Sequence, residues 1–82
     1  MITVNVVFLG PAKNLANAES VSLEVADGAT LADLRRLLAE RYEGLRRAMG
    51  TIRFAINEEF AGDDAVLRAG DEVALIPPVS GG

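Results

Sequence analysis

Thr30-Leu31-Ala32-Asp33-Leu34-Arg35-Arg36-Leu37-Leu38-Ala39-Glu40-Arg41-Tyr42 sets four leucines and a tyrosine at 31, 34, 37, 38 and 42, with charged side chains at 33, 35, 36, 40 and 41. Apolar residues spaced i, i+3, i+4 and i+7 share one stripe of a helix. The segment is therefore an amphipathic helix with one buried side. Thr30 offers a hydroxyl for the N-cap, and Asp33 stands where a carboxylate can return a bond to the cap and favour the positive helix end. Gly44 marks the expected stop.

On the N-terminal side, Ile2 to Leu9 carries two interleaved sets: Ile2, Val4, Val6 and Phe8 on one face, and Thr3, Asn5, Val7 and Leu9 on the other. A period of two means a strand, with the uniformly apolar set toward the core. Leu9 then falls at the strand end on the opposite, more exposed face. Gly10 to Ser20 reads as a connecting loop, and Val21, Leu23 and Val25 alternate with polar or small residues in a second strand. Asp27-Gly28 closes it as a turn.

On the C-terminal side, Ile52, Phe54 and Ile56 alternate with Arg53, Ala55 and Asn57 in a third strand. Asn57-Glu58-Glu59 reads as a turn, Phe60 as the start of a very short strand, and Ala69-Gly70-Asp71 as a tight turn into a last strand, Glu72 to Ile76. The order strand, strand, helix, strand, short strand, strand buries both apolar surfaces most economically when one main helix lies across one mixed sheet of about five strands. The expected fold is α+β, a ubiquitin-like β-grasp over residues 1–76.

The chain has 82 residues, so it supports one core, burying roughly 60–65% of the surface its unfolded form exposes. Apolar residues make up 50%, with no cysteine and no histidine. The common transition-metal ligands, a thiolate nucleophile and the usual neutral-pH base are all missing, which argues against catalytic side chains. A net charge of −4, with Lys13 as the lone lysine, leaves no basic stripe for phosphates. No basic leader or long apolar run precedes the first strand, and a soluble, cytoplasmic protein is expected, without nucleic-acid or membrane binding.

From Pro77 the composition changes. Pro77-Pro78-Val79-Ser80-Gly81-Gly82 cannot extend a sheet, because proline supplies no amide hydrogen and Pro78 pushes Pro77 toward extended geometry. Residues 77–82 form a tail reaching about 20 Å at ~3.3–3.6 Å per residue, enough to enter another protein's active site. Glycine without a Cβ passes a narrow channel and leaves its carbonyl open to attack. The terminal carboxylate is a poor electrophile until adenylated, and a sulfur donor can then convert the acyl group to a thiocarboxylate.

Ala69 through Gly82, above all Pro77-Pro78-Val79-Ser80-Gly81-Gly82, resembles the family of molybdopterin synthase small subunits. Val4-Asn5-Val6-Val7-Phe8-Leu9-Gly10 and Phe54-Ala55-Ile56-Asn57-Glu58-Glu59-Phe60 extend the likeness over nearly the whole chain. The resemblance implies a sulfur carrier whose Gly82 is adenylated by a ubiquitin-activating-like adenylyltransferase using ATP, with no cofactor bound permanently. Sulfur from a persulfide donor would give a thiocarboxylate, and the tail would enter the large catalytic subunit of molybdopterin synthase to deliver it to the pterin precursor. Small archaeal modifiers share the same ending and are conjugated to lysines; related carriers serve thiamine synthesis and tRNA thiolation. The family docks through an apolar surface beside the tail, which maps onto Leu9, Phe60 and Ile76. The competing reading has Phe60 closing the core edge and Leu9 covering the loop.

Glu58-Glu59 and Asp63-Asp64 lack the ligand density and alternation of a calcium loop and read as solvated turn charges. The glycines make no phosphate-cradling spacing. Lys13 reads as a surface residue.

Overall fold

The computed structural model describes residues 1–78. Their elements in chain order are β1 (Ile2–Phe8), α1 (Pro11–Ala16), β2 (Ser20–Val25), α2 (Leu31–Arg41), a 3-10 turn (Glu43–Leu45), β3 (Arg53–Ile56), β4 (Glu59–Ala61) and β5 (Glu72–Ile76). The five strands form one sheet in the order β2-β1-β5-β3-β4. The β1–β5 pair is parallel, and the β1–β2, β5–β3 and β3–β4 pairs are antiparallel. The mixed sheet and its one long helix are the β-grasp architecture that the element order predicts.

The alternation in β1 puts Val4, Val6 and Phe8 in the core at 0% exposure, alongside Leu23, Val25, Phe54, Val73 and Leu75 from the other strands. Helix α2 covers this face with Leu31, Leu34 and Leu38, which are fully enclosed. Each such leucine contributes roughly 1.5–3 kcal/mol relative to exposure, an upper figure because the unfolded chain already hides some apolar surface. Phe8 meets Tyr42 edge to face with ring centroids 5.3 Å apart.

The start of α2 follows from its side chains. Thr30 Oγ1 accepts from the Asp33 amide at 3.4 Å, and the Asp33 carboxylate accepts from the Thr30 amide at 2.9 Å. That bond from the Thr30 backbone, against some desolvation and with help from the Thr30 hydroxyl and Arg36, lowers the Asp33 pKa below its ordinary 3.8. Arg35 ties the helix to the loops beyond it. Its guanidinium donates to the carbonyls of Met49 and Ile52, pairs with Asp63 at 2.9 Å, and lies 4.7 Å from the centre of the Phe54 ring.

Two details differ from the sequence reading. The stretch after Gly10 is not all loop, since Pro11 to Ala16 coils into α1 and buries Ala12 and Ala16. Helix α2 ends at Arg41 with Tyr42 as its cap, before Gly44. Gly44 is instead required by packing: a Cβ there would lie 2.2 Å from the Leu15 carbonyl oxygen. The 3-10 turn and α1 touch backbone to backbone, and only glycine allows that approach.

Candidate functional site

Strand β5 ends at Ile76, directly before Pro77-Pro78, so the site is built around that strand. At its start, Asp71 is buried, and its carboxylate accepts from the Arg68 amide at 2.8 Å and from Asn57 Nδ2 at 2.9 Å. Asn57 Oδ1 in turn accepts from the Glu72 amide at 3.0 Å. Asn57 and Glu58 occupy positive φ, 49° and 73°, making the two-residue turn that joins β3 to β4. Asparagine suits this position because it tolerates the left-handed region and bridges to β5.

At the other end, Ile76 still pairs with Arg53 of β3, and Pro77 follows, half-buried, with exposed Pro78 behind it. Prolines end the ladder because they bring no amide hydrogen. Gly10, at φ 52°, turns the chain away from β1 beside this exit, and a Cβ added to it would stand 3.7 Å from Pro77 Cγ. Of the tail read as entering a partner, Pro77 to Gly82, the residues Val79, Ser80, Gly81 and Gly82 lie outside the described residues.

Register decides what surrounds the exit. Val7, Ala74, Ala55 and Phe60 are successive partners across β1, β5, β3 and β4, so their side chains share the face turned away from α2. The next row holds Ile76 and Arg53, and Leu9 follows two residues after Val7. Phe60 is 67% exposed and Leu9 40%, with Ile76 half-buried. The sheet thus brings Leu9, Phe60 and Ile76 onto one face at the tail end, and Phe60 does not close the core. The opposite end of the same face is polar, carrying Asn5, Ser22 and Glu72 in register. A continuous apolar strip beside an exit suits contact with another protein.

The Arg53 guanidinium lies 5.5 Å from the centre of the Phe60 ring and makes no ion pair among the described residues. It is the titratable side chain that register brings beside Ile76. Elsewhere, Lys13 lies 3.9 Å from Glu19, both well exposed, a weak surface pair. Among the described residues no group of three metal-ligating side chains converges, and no helix is long and apolar enough to cross a membrane.

A scan against known families finds the ThiS family matching residues 6–82. The chain belongs to the ThiS family. A molybdopterin synthase sulfur carrier subunit from Chlamydomonas reinhardtii is 35% identical over 81 residues, covering 96% of this chain and 98% of that one. The solved complex of subunits 1 and 2 of molybdopterin-converting factor from Helicobacter pylori contains a chain 33% identical, covering 99% of this one and 100% of that one, with a TM-score of 0.74. SAMP1 from Haloferax volcanii superimposes with a TM-score of 0.86 at 28% identity, covering 98% of this chain and 99% of its own. These likenesses fit the ubiquitin-like α+β fold described above.

Sequence reasoning reached the exit and the face but missed two residues. The sequence marks Asp71 only as part of a turn, and its bond to Asn57 joins segments fourteen residues apart. Arg53 stood out only as the polar member of an alternation. Its pairing with the Phe60 ring depends on the β3–β4 register, which no local signal supplies.

Proposed function

We propose that this chain is the sulfur carrier subunit of a molybdopterin synthase, acting in the cytoplasm, with Gly82 as the residue that carries sulfur. The observation behind this reading is the full-length relationship to sulfur carrier subunits, in which the family match continues through Gly82. The body does no chemistry of its own. An adenylyltransferase consumes ATP to make the Gly82 acyl adenylate and releases pyrophosphate. A persulfide then displaces AMP, and a thiol releases the donor sulfur as a disulfide, leaving the thiocarboxylate. The Pro77-Pro78-Val79-Ser80-Gly81-Gly82 tail carries that group into the large catalytic subunit, where the pterin precursor receives it. Leu9, Phe60 and Ile76 hold the partner's surface while the tail is inserted.

The test is reconstitution. Incubation with ATP, the adenylyltransferase and a persulfide donor is expected to raise the intact mass by one sulfur-for-oxygen exchange. Adding the large subunit and pterin precursor is expected to return the mass to its starting value as dithiolene forms. A protein that keeps its original mass after incubation with ATP, the adenylyltransferase and the persulfide donor alone overturns the reading.

The likeness to SAMP1, a small archaeal modifier, favours a second reading in which activated Gly82 is joined to lysines of target proteins. High-mass adducts that survive reducing agent and contain a Gly-Gly isopeptide would establish that fate.

A further inference from the structure

Strand β2 lies at the edge of the sheet, with β1 between it and β5, and its free side is defined by the ladder on its other side. Asn5 donates to Asp71 O at 2.9 Å, Gly70 donates to Thr3 O at 2.9 Å, and Leu9 donates to Leu75 O at 3.3 Å. The odd residues of β1 therefore bond toward β5. The even ones face β2, and the Phe8 amide accordingly donates to Glu19 O at 2.9 Å. With Val6 opposite Val21 and Val4 opposite Leu23, the backbone groups of Ser20, Ser22 and Glu24 point out of the sheet. An uncovered row of amides and carbonyls of this kind is a template for another strand.

Two further features lie beside that row. Between the end of β2 and α2 is an open hollow of about 470 Å³ with Val25, Ala29 and Leu37 in its lining. Glu24, Asp27 and Asp33 also line it. Glu24 forms no ion pair among the described residues, Asp27 faces the Met1 ammonium at 3.3 Å, and Asp33 pairs with Arg36. Three carboxylates against two cations leave the hollow negative.

We infer that the β2 edge and this hollow form a second docking site, which takes an extended basic segment of a partner protein as an added strand. Backbone bonds to Ser20, Ser22 and Glu24 supply the pairing. Alternate apolar side chains of the segment enter the hollow beside Val25 and Leu37, and its lysines or arginines meet Glu24 and Asp27. A second copy of this chain fits less well, since it brings the same carboxylates and a net charge of −4. The hollow opens at the end of the sheet opposite the exit of β5, so an occupied edge leaves Ile76 and Pro77 clear.

Isotope-labelled protein titrated with the peptide Lys-Val-Lys-Val-Lys-Val tests this, with Glu-Val-Glu-Val-Glu-Val as control. Binding should weaken as salt rises, shift amide resonances from Ser20 to Asp27, and slow hydrogen exchange at Ser20, Ser22 and Glu24. Ser22→Pro removes one outward N–H and no bond of the ladder, so it should cut affinity about ten-fold while the melting temperature holds. Should proline disturb the strand, Glu24→Lys weakens binding through charge with the backbone edge intact. Equal binding of the acidic control, shifts centred on Leu9 and Phe60, self-pairing of the labelled protein, or unchanged affinity in both variants would overturn the site. None of these readouts depends on sulfur transfer.

Discussion

The two ends of β5 are held in opposite ways. Where the strand begins, a buried carboxylate accepts from the Arg68 amide three residues earlier and from an asparagine of the neighbouring hairpin, and that asparagine also takes the Glu72 amide. Where it finishes, Pro77 and Pro78 withdraw the donors that would continue the ladder. A strand fixed at its start can release its end without loosening the body. Local stability is thereby concentrated at one end of this five-residue element, and the proposed role in sulfur transfer at the other.

Removing the releasing end should have the largest functional effect. Deletion of Gly82 is expected to reduce thiocarboxylate formation to background while the thermal transition stays where it was. Unfolding on that deletion would break the contrast between the two ends. At the held end, Asp71→Ala leaves the Arg68 amide and the Asn57 amide group without their acceptor. It should cost about 2 kcal/mol and lower the melting temperature by roughly 10 °C, read by calorimetry. Below that transition, sulfur transfer should persist.

Phe60→Ala sharpens the comparison from the side. The ring is 67% exposed, so stability should barely change, whereas affinity for the large subunit should fall about ten-fold or more if it anchors the contact. Titration calorimetry would measure this, and unchanged affinity would remove Phe60 from the docking face.

The smallest effects belong to the start of α2, where the Thr30–Asp33 bonds are local to the helix cap. Thr30→Ala should cost about 1 kcal/mol in denaturant unfolding and leave transfer alone. Because the folded-state pKa of Asp33 is lowered, its stabilising effect is present above the ordinary carboxylate value of 3.8 and fades as pH falls through the lower folded value. The stability gap between the wild type and Asp33→Asn should therefore close in acid.

Most of this scaffold was legible because its signals are local. Glu72 to Ile76 alternates cleanly between a turn and a proline pair, and Thr30 with Asp33 announces a helix start that the structure reproduces bond for bond. Short elements without a full period were not. Helix α1 covers six residues and advertises itself only through Ala12 and Ala16, four apart in a segment that also holds a proline, a lysine and an asparagine. Gly44 looked like a helix terminator because glycine often is one, but its reason lies at Leu15, a contact between segments distant in sequence. On the candidate face, parity alone placed Leu9 and Ile76, whereas the three-residue β4 left the direction of Phe60 to be decided by pairing.

The parallel run of β1 and β5 has a practical consequence. The Met1 amine and the root of the tail leave opposite ends of the sheet, separated by a strand of seven residues, or roughly 23 Å at ~3.3 Å each. Under the proposed role of Gly82, an affinity handle or surface linkage joined ahead of Met1 would leave that residue's carboxylate free, whereas the same handle placed after Gly82 would cap it.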